Sequence, residues 1–139
     1  YPDVRAVISV NKGLVTQASA AIPVVPLYFA ILYKVMKRAG NHENCIQQIA
    51  RLFTQKLYTP EGFRTDENGF IRMDDYELLP EIQEEVKKCW KAVTTDTVNQ
   101  YCDIDGYWED FYHMFGFHYS DIDYTQDVDA NVEINGIVM

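Results

Sequence analysis

The chain has 139 residues, of which 47% are hydrophobic and 14% aromatic, with 12 Lys and Arg against 21 Asp and Glu. This composition indicates one globular domain and excludes intrinsic disorder over most of the length. The net charge of −9 argues against nucleic acid as a partner, because phosphate binding needs clustered basic side chains. The opening residues do not resemble a secretory or transit signal, so we expect a cytoplasmic protein.

The cysteines and histidines have no spacing typical of a metal site. Cys45, Cys89 and Cys102 are an odd number with long gaps, which predicts reduced thiols rather than a disulfide framework. His113 and His118 lie among aromatic residues without ligand spacing. The alternating aspartates after residue 120 lack the glycine and the final glutamate of a calcium loop. We therefore predict no metal.

A β-branched run at residues 5–10 predicts a short buried strand of the parallel type. Gly13 follows it and opens a loop that reaches about residue 22. A parallel strand needs a neighbour, and no second strand of this kind is evident in the sequence. This indicates that the strand belongs to a larger sheet and that the chain is a fragment.

Residues 18–36 are the most apolar stretch, but Pro23 and Pro26 interrupt it, so we predict a buried helix and no membrane span. This helix begins near Pro26 and ends before Gly40, which is suited to a C-cap. A second helix covers residues 43–57. Its apolar stripe, which we expect to face the core, consists of Ile46, Ile49, Ala50, Phe53 and Leu57.

The rest of the chain is predicted to contain a hairpin, three helices and a tail. The Asn68-Gly69 pair between apolar segments predicts a β-hairpin. Helical spacing and end signals predict helices at residues 81–93, 96–101 and 107–115. The acidic residues 120–139, with alternating apolar positions, predict an extended tail or an edge strand.

An ordered series of motifs runs through most of the chain. It begins with Lys12-Gly-Leu-Val-Thr-Gln-Ala-Ser-Ala-Ala-Ile-Pro-Val-Val-Pro-Leu-Tyr28 and continues through Lys34-Val-Met-Lys37, Asn41-His-Glu43, Arg51-Leu-Phe53, Ile71-Arg-Met-Asp-Asp75, Glu77-Leu78, Gly106-Tyr107 and Phe115-Gly-Phe117. This series closely resembles the C-terminal third of the trans-2-enoyl-CoA reductases and FabV-type enoyl-acyl-carrier-protein reductases. Two departures are Asn44, where a glycine is usual, and Tyr76, where a tryptophan is usual.

The resemblance implies an α/β parent of the Rossmann-type, short-chain-dehydrogenase-like class. This chain would be its C-terminal part, mostly α-helical with one parallel strand and a β-hairpin. We expect five segments: the last sheet strand with the cofactor-side loop (1–25), substrate-side helices (26–58), the hairpin (59–73), a helical cap (74–118) and an acidic tail (119–139).

The resemblance also implies the activity: NADH-dependent reduction of trans-2-enoyl thioesters, carried by CoA or acyl-carrier protein, in fatty acid synthesis. The family's catalytic tyrosine and lysine lie upstream, so no catalytic residue is expected here and the chain alone should be inactive. Tyr28 and Lys37 have the same spacing as that pair, which we interpret as coincidence. The expected partners are the N-terminal Rossmann portion and the thioester substrate, and a fragment with an orphan strand could also form oligomers.

The loop after the first strand is the predicted cofactor site, because ligands of doubly wound sheets bind beyond the carboxyl ends of strands. The resemblance supports nicotinamide contacts by Leu14, Val15 and Thr16. The family's C-terminal region has also been suggested to bind FAD, but no phosphate loop supports this, and we predict none. Helical spacing together with the resemblance predicts an acyl pocket, with core packing as the alternative role, at Val25, Phe29, Tyr33 and Tyr107.

Two other functions remain open on the sequence. The chain could be a free-standing helical interaction or oligomerisation module, with the sheet edge and the apolar face of residues 18–36 as its interface. It could also be an acyl- or lipid-binding protein that uses the same helix stripe. Binding of acyl-CoA without NADH would favour the latter.

Overall fold

The computed structural model describes residues 5–127, which form six α-helices, a π-helical segment and two short strands. The predicted tail beyond residue 127 lies outside the described residues. The nine elements, in chain order, are β1 (Ile8–Val10), α1 (Gln17–Ala20), α2 (Val25–Ala39), α3 (Cys45–Arg51), the π-helical segment (Leu52–Leu57), β2 (Phe70–Arg72), α4 (Pro80–Ala92), α5 (Val98–Tyr101) and α6 (Ile104–Met114).

Helix α2 is the centre of the hydrophobic core. Pro26 lies in its first turn, where a missing N–H is tolerated, and Gly40 ends it with a φ of 74°, as predicted. Its buried side chains pack against α4 and α6. The apolar face of α2 is therefore covered within the chain, which is contrary to its use as an interface by a free-standing module.

The two strands form one parallel pair, and the predicted β-hairpin is wrong. Ile8 aligns with Phe70 and Val10 with Arg72. The turn before β2 does form, since Gly69 N–H donates to Asp66 C=O at 3.0 Å, but β2 then pairs with the distant β1. The expectation that β1 has no parallel neighbour in this chain is therefore also wrong.

Strand β1 is less buried than expected. The side chain of Ile8 is 60% exposed, and Ser9 and Val10 are only half-buried. In the described part of the chain β1 has a neighbour on one edge only, which is β2. This two-stranded sheet therefore leaves apolar surface of β1 exposed.

The predicted helix at residues 43–57 is divided into α3 and the π-helical segment, and its apolar stripe does not face the core. Ile46, Ile49 and Phe53 are each between 46% and 49% exposed. The buried positions of α3 are the polar residues Gln48 and Arg51. Asn44, one of the departures from the family pattern, caps α3 by accepting a hydrogen bond from Gln47 N–H at 2.9 Å.

The C-terminal helices confirm the predicted order, with shifts of a few residues at their ends. Helix α4 buries Ile82, Val86 and Cys89, and Gly116 follows α6 with a φ of 82°. All three cysteines are free thiols. Among the described residues, no helix has the length and apolarity needed to cross a membrane.

Candidate functional site

The loop of residues 11–16 connects the carboxyl end of β1 to α1. The carbonyl of Val10, the last residue of β1, accepts hydrogen bonds from Met73 N–H (2.8 Å) and Asp74 N–H (3.1 Å) just beyond β2. These bonds fix the point at which the loop leaves the sheet. The loop therefore lies at the end of the sheet where ligands of α/β proteins bind.

Three side chains from different parts of the fold accept hydrogen bonds from the amides of this loop. Gln48 Oε1 of α3 accepts from Lys12 N–H at 3.1 Å, and the Tyr33 hydroxyl of α2 accepts from Val15 N–H at 3.1 Å. Glu77 Oε2, beyond β2, accepts from Gly13 N–H at 2.6 Å. The loop backbone is thus held by side chains, without a neighbouring strand.

Several backbone groups of the loop have no hydrogen-bond partner among the described residues, and two of them lie on the adjacent residues Leu14 and Val15. Within residues 5–127, Leu14 N–H has no acceptor and Val15 C=O has no donor. The Val15 side chain is buried at 3% exposure, while Leu14 is half-buried. One donor and one acceptor on adjacent residues match the hydrogen-bonding groups of a primary carboxamide.

Thr16, the third predicted cofactor residue, is the N-cap of α1. Its Oγ1 accepts from Ser19 N–H at 3.0 Å, and Ser19 Oγ accepts from Thr16 N–H at 2.7 Å. This reciprocal pair satisfies the backbone N–H groups of Thr16 and Ser19. Thr16 therefore shapes the end of the loop, and a ligand contact by its hydroxyl stays a prediction.

Lys12 is an unexpected buried cation in this loop, with 3% of its surface exposed. Its ammonium group donates to Gly13 C=O at 3.2 Å and lies 4.3 Å from the centre of the Tyr33 ring. In the described residues no carboxylate pairs with it directly. Burial therefore lowers the pKa of Lys12 to about 8, although Asp110, Glu77 and Glu43 oppose the shift.

The Lys12→Met variant should remove a pH dependence of stability. Between a folded pKa of about 8 and the ordinary value of 10.5, the unfolded chain binds more protons than the folded one. The free energy of unfolding of the wild-type protein should therefore rise with pH in this window, by about 2 kcal/mol relative to Lys12→Met between about pH 7 and about pH 9.5. Urea denaturation at several pH values measures this difference.

Lys87 on the exposed side of α4 offers a matched control, since Lys87→Met removes a solvated lysine. Its stability should stay parallel to that of the wild type over the same pH range. A constant difference between wild type and Lys12→Met at every pH would contradict the lowered pKa.

The four predicted pocket residues lie mainly in the core. Phe29 and Tyr33 are buried and stack with ring centres 6.1 Å apart and parallel planes. Tyr107 joins the same cluster, and its hydroxyl is buried without a partner in the described residues. Val25 is half-buried at the first position of α2. The structure thus joins Tyr33 to the cofactor-side loop, and the pocket role stays a prediction.

Tyr28 and Lys37 do not form a site together. Nine residues along an α-helix separate two positions by about 13.5 Å along its axis. The Tyr28 hydroxyl donates to Glu77 at 2.7 Å, whereas Lys37 Nζ contacts Asp103 at 2.7 Å. Their different partners support the interpretation that the spacing is coincidental.

Two family models match the chain one after the other. The first, described as the trans-2-enoyl-CoA reductase catalytic region, matches residues 2–58, and the second, described as the enoyl reductase FAD binding domain, matches residues 65–128. The chain belongs to the trans-2-enoyl-CoA and FabV-type enoyl reductase family. The family resemblance inferred from the motif series is therefore confirmed.

Relatives of known name in this family are about half identical to the chain. An enoyl-acyl-carrier-protein reductase (NADH) of Cytophaga hutchinsonii is 51% identical over 134 residues, which is 96% of this chain and 34% of that protein. The enzyme of the same name from Coxiella burnetii is 50% identical over 97% of this chain and 33% of its own length. The chain therefore spans about a third of the length of the curated relatives it matches.

Two solved structures of this family match the fold. Trans-2-enoyl-CoA reductase from Treponema denticola, in complex with NAD, superposes with a TM-score of 0.79 at 48% identity, over 91% of this chain and 32% of that one. The Clostridium acetobutulicum enzyme with NAD gives 0.78 at 48% identity, over 90% and 32%. The fold described above is therefore similar to about a third of each of these two reductases.

The second family model includes FAD in its description, but the residues of this region do not fit a flavin diphosphate. Residues 65–127 carry four Lys and Arg against sixteen Asp and Glu. Arg72 is paired with Asp66 and Asp74, and α6 begins with Asp105 in its first turn. A diphosphate needs positive charge or free helix N-terminal amides, and residues 65–127 carry an excess of acidic side chains instead.

Metal ligands are also not grouped: residues 5–127 contain no set of three or more His, Cys, Asp or Glu side chains that could hold an ion.

The sequence patterns did not predict four residues of the loop and of the contacts around it, namely Lys12, Gln48, Tyr28 and Glu77. Lys12, Tyr28 and Glu77 could be noticed only through their presence in the family motifs, and Gln48 lies outside those motifs. The contacts of Gln48, Tyr28 and Glu77 are formed with distant parts of the chain.

Proposed function

We propose that this chain is part of an NADH-dependent reductase of trans-2-enoyl thioesters and supplies the loop that binds the nicotinamide end of the cofactor. The observation that carries the proposal is the pair of unsatisfied groups, Leu14 N–H and Val15 C=O, in a loop fixed at the carboxyl end of β1. The names of the relatives, which specify NADH and enoyl thioesters, support the same activity.

The loop would bind the carboxamide through its backbone. Leu14 N–H would donate to the carboxamide oxygen, and Val15 C=O would accept from its NH₂ group. Because Gln48 and Tyr33 hold the amides of Lys12 and Val15, these two groups are oriented before a ligand arrives. When bound, NADH supplies the hydride that reduces the double bond.

Helix α2 would provide one wall of the acyl pocket. Phe29 and Tyr33 are on its buried side next to the loop, and the unpartnered hydroxyl of Tyr107 lies in the same cluster. Val25, at the start of α2, would line the pocket mouth. This wall excludes water and places an apolar acyl chain near the nicotinamide.

The rest of the enzyme would provide the catalytic tyrosine and lysine and the main Rossmann sheet. The 60% exposed Ile8 on β1 and the exposed apolar stripe of α3 are surfaces that this portion could cover. We accordingly propose that the chain packs beside an N-terminal Rossmann portion of the same cytoplasmic enzyme. The chain alone should show no turnover.

A chimera tests this function. In the Cytophaga hutchinsonii enzyme, the matching 134-residue segment is replaced by this chain. Purified chimera should oxidise NADH in the presence of crotonyl-CoA, followed by NADH absorbance, whereas the isolated chain should not. The same Cytophaga enzyme without the matching segment is the control.

Three outcomes are informative. Activity of the chimera without activity of the isolated chain supports the proposal. Activity of the isolated chain would overturn the placement of the catalytic pair outside it. A folded chimera that binds neither NADH nor crotonyl-CoA would overturn the proposed function and favour the interaction module.

A further inference from the structure

Glu77 connects the cofactor-side loop to helix α2. One carboxylate oxygen, Oε2, accepts from Gly13 N–H at 2.6 Å, and the other, Oε1, accepts from the Tyr28 hydroxyl at 2.7 Å. Burial and the contact with Glu77 raise the pKa of Tyr28 to about 12. The phenol therefore stays protonated and acts as a hydrogen-bond donor at neutral pH.

The other side of the same glycine also contacts α2. Gly13 C=O accepts from the Tyr33 hydroxyl at 3.3 Å, and the Phe29 ring lies directly against the Gly13 Cα. Helix α2 thus touches Gly13 in three ways: at its carbonyl, at its Cα, and at its N–H through Tyr28 and Glu77. Of these three connections, only the one through Glu77 uses a residue outside α2.

We propose that Glu77 is a positioning residue that sets the distance between the nicotinamide-binding loop and the acyl-pocket helix. This role rests on the proposed function, because it concerns how the two halves of that site are aligned. Glu77 touches neither cofactor nor substrate in this scheme. It acts through Gly13, the residue before the free Leu14 N–H, and through Tyr28 on α2.

Alignment of this kind should affect turnover more than ground-state binding. Hydride transfer depends steeply on the approach of donor and acceptor carbons, and a displacement of about 1 Å can lower a rate by about 100-fold. Carboxamide binding to Leu14 and Val15 requires only that the loop keeps its own shape, which Gln48 and Tyr33 also support. Loss of the connection through Glu77 should therefore lower kcat and leave KM nearly unchanged.

Three variants of the active chimera separate the contacts. Glu77→Leu removes both hydrogen bonds, Tyr28→Phe removes only the connection to α2, and Glu77→Gln keeps an acceptor for Gly13 and a polar partner for Tyr28. We expect kcat to fall by about tenfold or more in Glu77→Leu and by a smaller factor in Tyr28→Phe. Glu77→Gln should recover most of the loss, and KM for NADH and crotonyl-CoA should change by less than about threefold.

Rates are expressed per NADH-binding site, which removes the effect of misfolded enzyme. If kcat per site is unchanged in Glu77→Leu, or if Glu77→Gln is as slow as Glu77→Leu, the positioning role is overturned while the proposed function stands. If the folded wild-type chimera binds neither NADH nor crotonyl-CoA, the proposed function fails and the positioning role fails with it.

Discussion

Replacing Arg51 with methionine is expected to lower the free energy of unfolding by about 3–5 kcal/mol, because it breaks a buried ion pair on one side only. The guanidinium, 6% exposed, donates to Glu43 Oε1 at 2.7 Å, to Asp75 Oδ1 at 2.9 Å and to the carbonyl of Met73 at 2.9 Å. It also lies 4.2 Å from the centre of the Tyr76 ring. The variant leaves two carboxylates and one carbonyl without this donor, and urea denaturation measures the loss.

Arg38, exposed in the last turn of α2, provides the control for Arg51, since Arg38→Met should change stability by less than about 0.5 kcal/mol.

The loss of unfolding free energy caused by Arg51→Met should also be smaller at acid pH. Although burial alone would raise it, the pKa of Asp75 is held below its ordinary value by Arg51 and Lys56. Its stabilising contribution is present at neutral pH and is lost as the pH falls through the lowered pKa. A loss below about 1 kcal/mol at neutral pH would contradict the structural role of Arg51.

The elements that the sequence predicts well are those with local end signals. Pro26 and Gly40 bound α2 because both act through their own backbone, as a residue without an N–H and a residue that tolerates positive φ. The same holds for Gly116 after α6. In these cases the deciding interactions lie within one or two helical turns of the residue itself.

Strand β2 was mispredicted because its deciding partner is distant. An Asn-Gly turn favours a hairpin, and locally the turn forms, but Phe70 aligns with Ile8, some 60 residues earlier in the chain. Three residues carry too little periodicity to distinguish the two pairings. The prediction that the apolar stripe of α3 faces the core was wrong for a related reason. Spacing shows which side chains share a face of a helix, but not which face other elements cover.

The candidate loop could be located but not explained from the sequence. Its position follows from the strand end and the family motifs. Its conformation depends on Tyr33, Gln48 and Glu77, which accept hydrogen bonds from loop amides 18, 36 and 64 residues away in the sequence. The low exposure of Lys12 is equally a product of tertiary packing. Sequence patterns do not encode such side-chain to backbone contacts, and the departures Asn44 and Tyr76 acquire their roles, a helix cap and a ring against Arg51, only in the fold.

Gly13→Ala is the substitution in the loop from which we expect the largest loss of cofactor binding. A Cβ at this position would lie 2.5 Å from Cε1 of the Phe29 ring, well inside contact distance. The ring is buried and stacked on Tyr33, so it cannot move without disturbing the core. We expect the loop to shift instead, which lowers stability by about 1–3 kcal/mol and NADH affinity of the active chimera by about tenfold or more.

A double-mutant cycle with Phe29→Leu separates this collision from other effects of the methyl group. Leucine lacks the ring edge that meets the new Cβ, so Gly13→Ala should cost less NADH affinity in the Phe29→Leu background than in the wild type. NADH affinity is measured by fluorescence titration of all four proteins, with unfolding followed in parallel. Equal losses in both backgrounds would mean that Phe29 does not fix the loop through Gly13. A loss confined to the wild-type background would identify the bare Cα of Gly13 as the feature that allows helix α2 and the cofactor-side loop to approach.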